Sequence, residues 1–205
     1  MIRNIVFDMG GVLMDYQPLL PCRRHAANEE EAQAIHQAIF LAPEWETALD
    51  GGFCSEEDML AVAQSRLDTP TQKETAARIY ADYHTDALFP MPGMKAVVQR
   101  LYDRGFQIYL LSNAGSRIHQ YLHRIPGIDL FTDVLISYQE KLLKPEPPIY
   151  HRFLDKCSLE AAECLFIDNL QRNIDGAVVV GMQGYCFADG DVARLMAFLE
   201  ALPRP

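Results

Sequence analysis

FDMGGVL (residues 7–13) follows the run Ile2, Ile5, Val6 and Phe7 and sets one acid and two glycines directly behind it. The run is apolar, short and rich in β-branched side chains, which predicts a buried strand ending at Asp8. Gly10 and Gly11 permit backbone angles that other residues resist and let a ligand come close to the main chain. Asp8 is therefore either a turn-capping residue or a reactive carboxylate held at the edge of a sheet.

Four more strand-like runs follow: FQIYLL (106–111), VLIS (134–137), CLFID (164–168) and GYCFA (184–188). Helical stretches begin near Met94, Gly115, Pro147, Leu170 and Asp191. Strands alternating with helices predict an α/β fold, a Rossmann-like open parallel sheet with helices on both faces. Leu195, Phe198, Leu199 and Leu202 make an apolar stripe on the last helix. From about residue 16 to 88 no strand is evident. EEEAQAIHQAIF, SEEDMLAVAQSRL and TQKETAARIYADYHTDAL read as helices, with Ser55 capping the second and Asp58 completing an acidic capping box. The expected organisation is a core of residues 1–15 and 89–205 with an inserted α-helical subdomain over 16–88. Re-entry runs through Pro90-Met91-Pro92-Gly93, where the prolines favour an extended connection.

Composition narrows the function. The 205 residues are 49% hydrophobic and 22% charged, enough for one core plus a subdomain. A net charge of −10 argues against nucleic acid or an anionic membrane as partner. No apolar run approaches the ~20 residues of a membrane span, and no signal peptide is evident. Five cysteines without a Cys-x-x-Cys pair read as free thiols in a reducing cytoplasm, with Cys164 and Cys186 in strands. Oligomeric state has no sequence signal.

Ligands of open parallel sheets bind beyond the carboxyl ends of the strands. The first strand delivers Asp8 there, the second Ser112 and Asn113, and the fourth Asp168 and Asn169; Lys144 follows the third. FDMGGVL, LLSN, LKPEPPIY and FIDNLQRN resemble the four motifs of the haloacid dehalogenase-like (HAD) hydrolase superfamily. The resemblance covers essentially the whole chain, and the helical insertion sits where that superfamily carries its smaller C1 cap. It implies a phosphatase with Asp8 as nucleophile, forming an aspartyl-phosphate, and Mg²⁺ held by Asp8, the Gly10 carbonyl and Asp168. It also implies that Ser112 and Lys144 serve catalysis, and that Ser112, Asn113, Lys144 and Gly11 hold the phosphate of a small phosphorylated metabolite. Asn169 and Asn173 read as helix caps or as groups around the metal.

Two positions break the pattern. Most phosphatases of the superfamily carry an acid–base aspartate two residues after the nucleophile; here that position is Gly10, and Asn169 replaces a second acid in the fourth motif. Some members of the sugar-1-phosphate phosphatase branch share an Asp-x-Gly first motif, and leaving groups that depart without a proton would suffer least from the loss. Asp15, His25, Glu46 and Asp50 are candidate replacement acids, and Trp45 either packs or faces substrate. His119 and His123, four apart, and the pair Arg23-Arg24 read as surface features. A metal-free 2-haloacid dehalogenase and a non-catalytic phospho-ligand binder are the alternative functions.

Overall fold

The computed structural model describes all 205 residues, Met1–Pro205. β1 (Asn4–Phe7) and β2 (Met14–Tyr16) are followed by α1 (Leu19–His25) and α2 (Glu29–Ile39), a π-helical turn at Trp45–Leu49, α3 (Glu56–Ser65) and α4 (Pro70–Asp86). β3 (Leu88–Pro90) then leads to α5 (Met94–Asp103), β4 (Gln107–Ser112), the single-turn α6 (Ile118–Tyr121), β5 (Asp133–Ile136) and α7 (Ser137–Glu140). α8 (Pro147–Cys157), β6 (Cys164–Asp168), α9 (Gln171–Val179), β7 (Gln183–Cys186) and α10 (Val192–Glu200) complete the chain.

Five strands form one sheet in the order β5-β4-β1-β6-β7, every neighbour pair parallel. The central strands are apolar on both faces because side chains alternate across a strand. Ile5, Phe7, Ile108, Leu110, Leu165 and Ile167 point into one core, shared with Val97, Val98 and Leu101 of α5 and Leu195 and Leu199 of α10. Val6, Tyr109, Leu111, Cys164 and Phe166 point into the other, closed by Ile149, Tyr150 and Phe153 of α8 and Ile174 of α9. The expected three-layer α/β fold is the one observed. Phe198 departs from the expected stripe: it lies at the edge against Tyr185, ring centroids 4.6 Å apart, while Leu195 and Leu199 are buried.

The helices α1–α4 enclose a separate cluster that includes Cys22, Ile35, Ile39, Met59, Ile79, Tyr80 and Tyr83. Ser55 and Asp58 form the expected capping box on α3. Two features escape the sequence reading. β2 pairs antiparallel with β3, so Phe89-Pro90 is a short strand rather than a linker, and Gly93 at φ 87° then turns the chain into α5. α1 is a helix despite Pro21, which falls in its first turn, where a proline sacrifices no intrahelical bond. The five cysteines are free, Cys164 and Cys186 lying in β6 and β7. No helix is long and apolar enough to cross a membrane.

Candidate active site

The sheet register sets the acids. Phe7 is paired with Ile167, so Asp8 and Asp168 leave adjacent strands at the same level. Asp8 shares the parity of Val6 and Asp168 that of Phe166, so both carboxylates belong to the face covered by α8. Lys144 enters just before α8, its ammonium 2.7 Å from Asp8 Oδ1 and 2.8 Å from Asp168 Oδ2, and 5.2 Å from the centre of the Phe166 ring. Asp168 is 0% exposed, Lys144 2% and Asp8 7%.

One ammonium thus serves two buried carboxylates, and the trio is one positive charge short. Burial raises the Asp8 carboxyl to about 6, with Asp168 adding to the rise and Lys144 opposing it. Burial alone would depress Lys144, but the two acids outweigh it and hold its ammonium above the ordinary lysine value. Asp168 is fixed by further bonds, from the Leu170 N–H to Oδ1 (2.8 Å) and from Asn173 Nδ2 to Oδ2 (2.9 Å). Asn173 Oδ1 is buried with no partner.

Above the trio opens a cleft of about 570 Å³ between the strand ends and the helical unit. Asp8, Gly10, Gly11, Asn113, Lys144, Asn169 and Asn173 line its floor; Phe40, Trp45, Tyr83 and Tyr121 are among its apolar walls. Gly11 has φ 73°, and a Cβ there would stand 2.5 Å from Asn169 Nδ2, so both conformation and proximity demand glycine. Gly10 has neither constraint: a Cβ there would meet nothing within 4 Å.

Asn113 and Ser112, expected at the phosphate, have partners within the chain. Asn113 spends both ends of its amide on the Lys144 main chain, accepting its N–H at 2.9 Å and donating to its carbonyl at 3.0 Å, ahead of the cis Lys144–Pro145 peptide. It is a positioning residue for the lysine. Ser112 is buried beneath the cleft lining, its hydroxyl 3.4 Å from the Asn113 carbonyl oxygen. Among the replacement acids, Asp15, Glu46 and Asp50 line the cleft, whereas His25 pairs with Asp86 elsewhere. Arg23 and Arg24 are tied to Glu29 and Asp86. His119 bonds Tyr138, and α6 ends before His123, which breaks their helical spacing. Trp45 both packs, 5.1 Å from Phe40 and Tyr83, and lines the cleft.

The donor set suits a hard divalent cation. No group of three His, Cys, Asp or Glu side chains clusters anywhere, so the protein ligands would be Asp8, Asp168 and a main-chain oxygen. Lys144 engages Asp8 Oδ1, and the Gly10 carbonyl accepts no main-chain N–H. All three are oxygen donors, and a cation beside them supplies the charge that the trio lacks.

A family model described as haloacid dehalogenase-like hydrolase matches residues 2–181. The chain belongs to the haloacid dehalogenase-like hydrolases. It is therefore a hydrolase, as the motifs imply. Among similar proteins of this family is a glyceraldehyde 3-phosphate phosphatase of Pyrococcus furiosus, 30% identical over 209 residues, covering 95% of this chain and 84% of the relative. Among solved structures, the L-2-haloacid dehalogenase RSc1362 superposes with a TM-score of 0.75 at 20% identity, covering 98% of this chain and 99% of that one. An HAD family enzyme of Bacteroides thetaiotaomicron, crystallised with magnesium and inorganic phosphate, gives 0.64 at 20% identity, with 91% and 94% covered.

Three features of this haloacid dehalogenase-like site carried no sequence signal. Arg172 of α9 donates to Glu46 Oε1 across the cleft at 2.6 Å, joining residues 126 positions apart. Tyr16 and Tyr121 line the cleft, and the Tyr16 hydroxyl is buried without a partner.

Proposed function

We propose that the chain is a Mg²⁺-dependent phosphatase of small phosphomonoesters that works through an aspartyl-phosphate on Asp8. The observation that carries this reading is the buried Asp8–Lys144–Asp168 trio, two acids on one ammonium at the floor of a cleft. Phosphoryl transfer asks for an in-line nucleophile and neutralised charge around the phosphoryl oxygens. Bound between Asp8, Asp168 and the Gly10 carbonyl, Mg²⁺ would neutralise charge on the phosphoryl oxygens and on the two acids. Lys144, locked by Asn113, engages Oδ1 of the Asp8 carboxylate that attacks phosphorus. Asp168 and Asn173 keep the lysine in place. The helical unit, residues 16–88, acts as the cap: Phe40, Trp45 and Tyr83 shed water from the reacting centre and surround the organic part of the ester. The phosphatase relative and the magnesium-bearing neighbour support this assignment. Five unpaired thiols fit a reducing cytoplasm.

A metal-free dehalogenase is the reading that the RSc1362 likeness and Gly10 favour. Asp168 opposes it, since a second buried acid beside an ester-forming Asp8 needs a cation. A 2-haloacid would also carry its carboxylate into a cleft where Lys144 and Arg172 are the only basic side chains, Arg172 being paired with Glu46. The deciding assay is phosphate release from a panel of monoesters with Mg²⁺ or with EDTA, on wild type and Asp8→Asn. Turnover that needs both Mg²⁺ and Asp8 is expected. Halide release from a 2-haloacid in EDTA would replace this reading with dehalogenation, and binding of phosphate without turnover would replace it with a phospho-ligand sensor.

A further inference from the structure

We propose that Asp50, on the turn that closes the helical unit over the cleft, is the general acid that protonates the leaving oxygen, in the role that Gly10 leaves vacant. This inference rests on the phosphatase reading above.

Asp50 ends the Trp45–Leu49 turn, its N–H bonded to the Trp45 carbonyl at 3.0 Å. Its own carbonyl accepts from Ser137 Oγ at 2.5 Å, and that same Oγ accepts the Ala114 N–H at 2.9 Å. One hydroxyl therefore ties the main chain of Asp50 to the loop that follows β4. The side chain lines the cleft together with Asp8 and Gly10, and its Oδ1 stands 3.7 Å from where a Cβ of Gly115 would be. The Gly115 N–H bonds this carboxyl.

No side chain neutralises this carboxyl. It has no salt bridge and no side-chain donor, because Arg172 is spent on Glu46 and Arg117 on Glu56. The charged groups that face it are acids: Glu46 on its own turn, Glu56 of α3 and Asp8 of the core. The phenols Tyr16, Tyr83 and Tyr121 and the thiol Cys54 complete its titratable surroundings. Burial, then Glu46, raises its pKa well above the ordinary carboxyl range, against the opposing Gly115 N–H. A carboxyl kept neutral in an active-site cleft is a proton donor.

The step balances. As the Asp8 carboxylate forms its bond to phosphorus and the ester P–O bond breaks, the Asp50 O–H proton passes to the departing alkoxide, releasing an alcohol. The Asp50 carboxylate then takes a proton from the water that attacks the aspartyl-phosphate. Inorganic phosphate leaves, Asp8 is regenerated and Asp50 is neutral again.

Leaving-group dependence tests this directly. The substrates are n-butyl phosphate, whose alkoxide must be protonated and which has no hydroxyl for Asp50 to bind, and para-nitrophenyl phosphate, whose phenolate leaves unaided. With Mg²⁺, Asp50→Asn is expected to lower kcat/KM for the butyl ester by about 10²- to 10⁴-fold, and for the aryl ester by less than about 10-fold. The aryl ester should then show a burst of nitrophenol as phosphoenzyme accumulates. The basic limb of the butyl pH–kcat/KM profile should disappear. Asp50→Glu should recover at least about 10-fold, and Gly10→Asp placed in the Asp50→Asn background should recover more, since a side chain at 10 meets open space. Equal losses on both esters would overturn the assignment, as would a KM effect with kcat unchanged. Should Asp50→Asn fail to fold, wild type still decides: butyl turnover some 10⁴-fold below aryl would mean that no acid operates. Wild type inert on both esters overturns the phosphatase reading and this inference together, whereas aryl turnover abolished by Asp8→Asn leaves only the role of Asp50 at stake.

Discussion

Asp8 is held at a cost that the protein bears for chemistry. Its carboxyl is raised to about 6 by burial, so below pH 4 the native and unfolded chains both carry that proton. Between about pH 4 and 6 the unfolded chain releases it first, and native stability falls as pH rises. Above 6 the deficit is constant, at most about 3 kcal/mol for a shift of this size. Asp8→Asn removes the buried charge and leaves Lys144 paired with Asp168. Urea unfolding at pH 7 in EDTA should find this variant more stable than wild type by about 1–3 kcal/mol, with turnover reduced about 10³-fold or more. Wild type should lose more stability than Asp8→Asn from pH 4 to 6, and Mg²⁺ should narrow the gap between the two. Lys144→Met runs the other way: it leaves two buried acids unpaired and is expected to lose about 3–5 kcal/mol in the same measurement.

The helical unit meets the sheet through a few close approaches, and these can be separated from its own stability. At Gly52, φ is 70° and a Cβ would stand 2.2 Å from the Tyr138 carbonyl oxygen, so Gly52→Ala must push the Asp50 turn off the core. A displacement of that kind is expected to cost on the order of 10- to 100-fold in kcat/KM. Ser55→Ala, by contrast, removes the cap of α3 within the unit and should cost about 1 kcal/mol in thermal unfolding with kcat/KM unchanged. Equal effects of the two on kcat/KM would mean that the contact at Gly52 does not position the turn. The sheet strands were legible because each is a short buried run, and a strand end announces Asp8 and Asp168 without knowledge of the fold. β2 and β3 were not, being three residues each, and β3 ends in Pro90, where the ladder signal is weakest. Nor was the work of Asn113, whose partner is a main chain 31 residues away, or of the Arg172–Glu46 bridge between two units. Local patterns report which face of an element is buried; they do not report what a polar side chain finds once the elements pack.

Charge at the scale of the whole molecule decides which esters the cleft admits. The chain carries a net charge of −10, and the cleft shares the imbalance: Asp8, Asp15 and Glu46 line it against Lys144 and Arg172. Lys144 is committed to the acids beneath it and Arg172 to Glu46, so a phosphate bound with its cation exhausts the positive charge on offer. A second anionic group on the substrate finds no partner and faces carboxylates, a repulsion of about 1–4 kcal/mol at 4 Å between water and a protein surface. Discrimination should therefore run about 10- to 10³-fold in kcat/KM in favour of hydroxyethyl phosphate over phosphoglycolate, which differ chiefly in that carboxylate. Raising the salt should shrink the ratio, because the cleft is open to screening ions. Glu46→Gln should shrink it further by freeing Arg172 for the carboxylate. A preference for phosphoglycolate in wild type would mean that Arg172 leaves Glu46 on substrate binding, and that the bridge is a switch for a dianionic ligand rather than a wall.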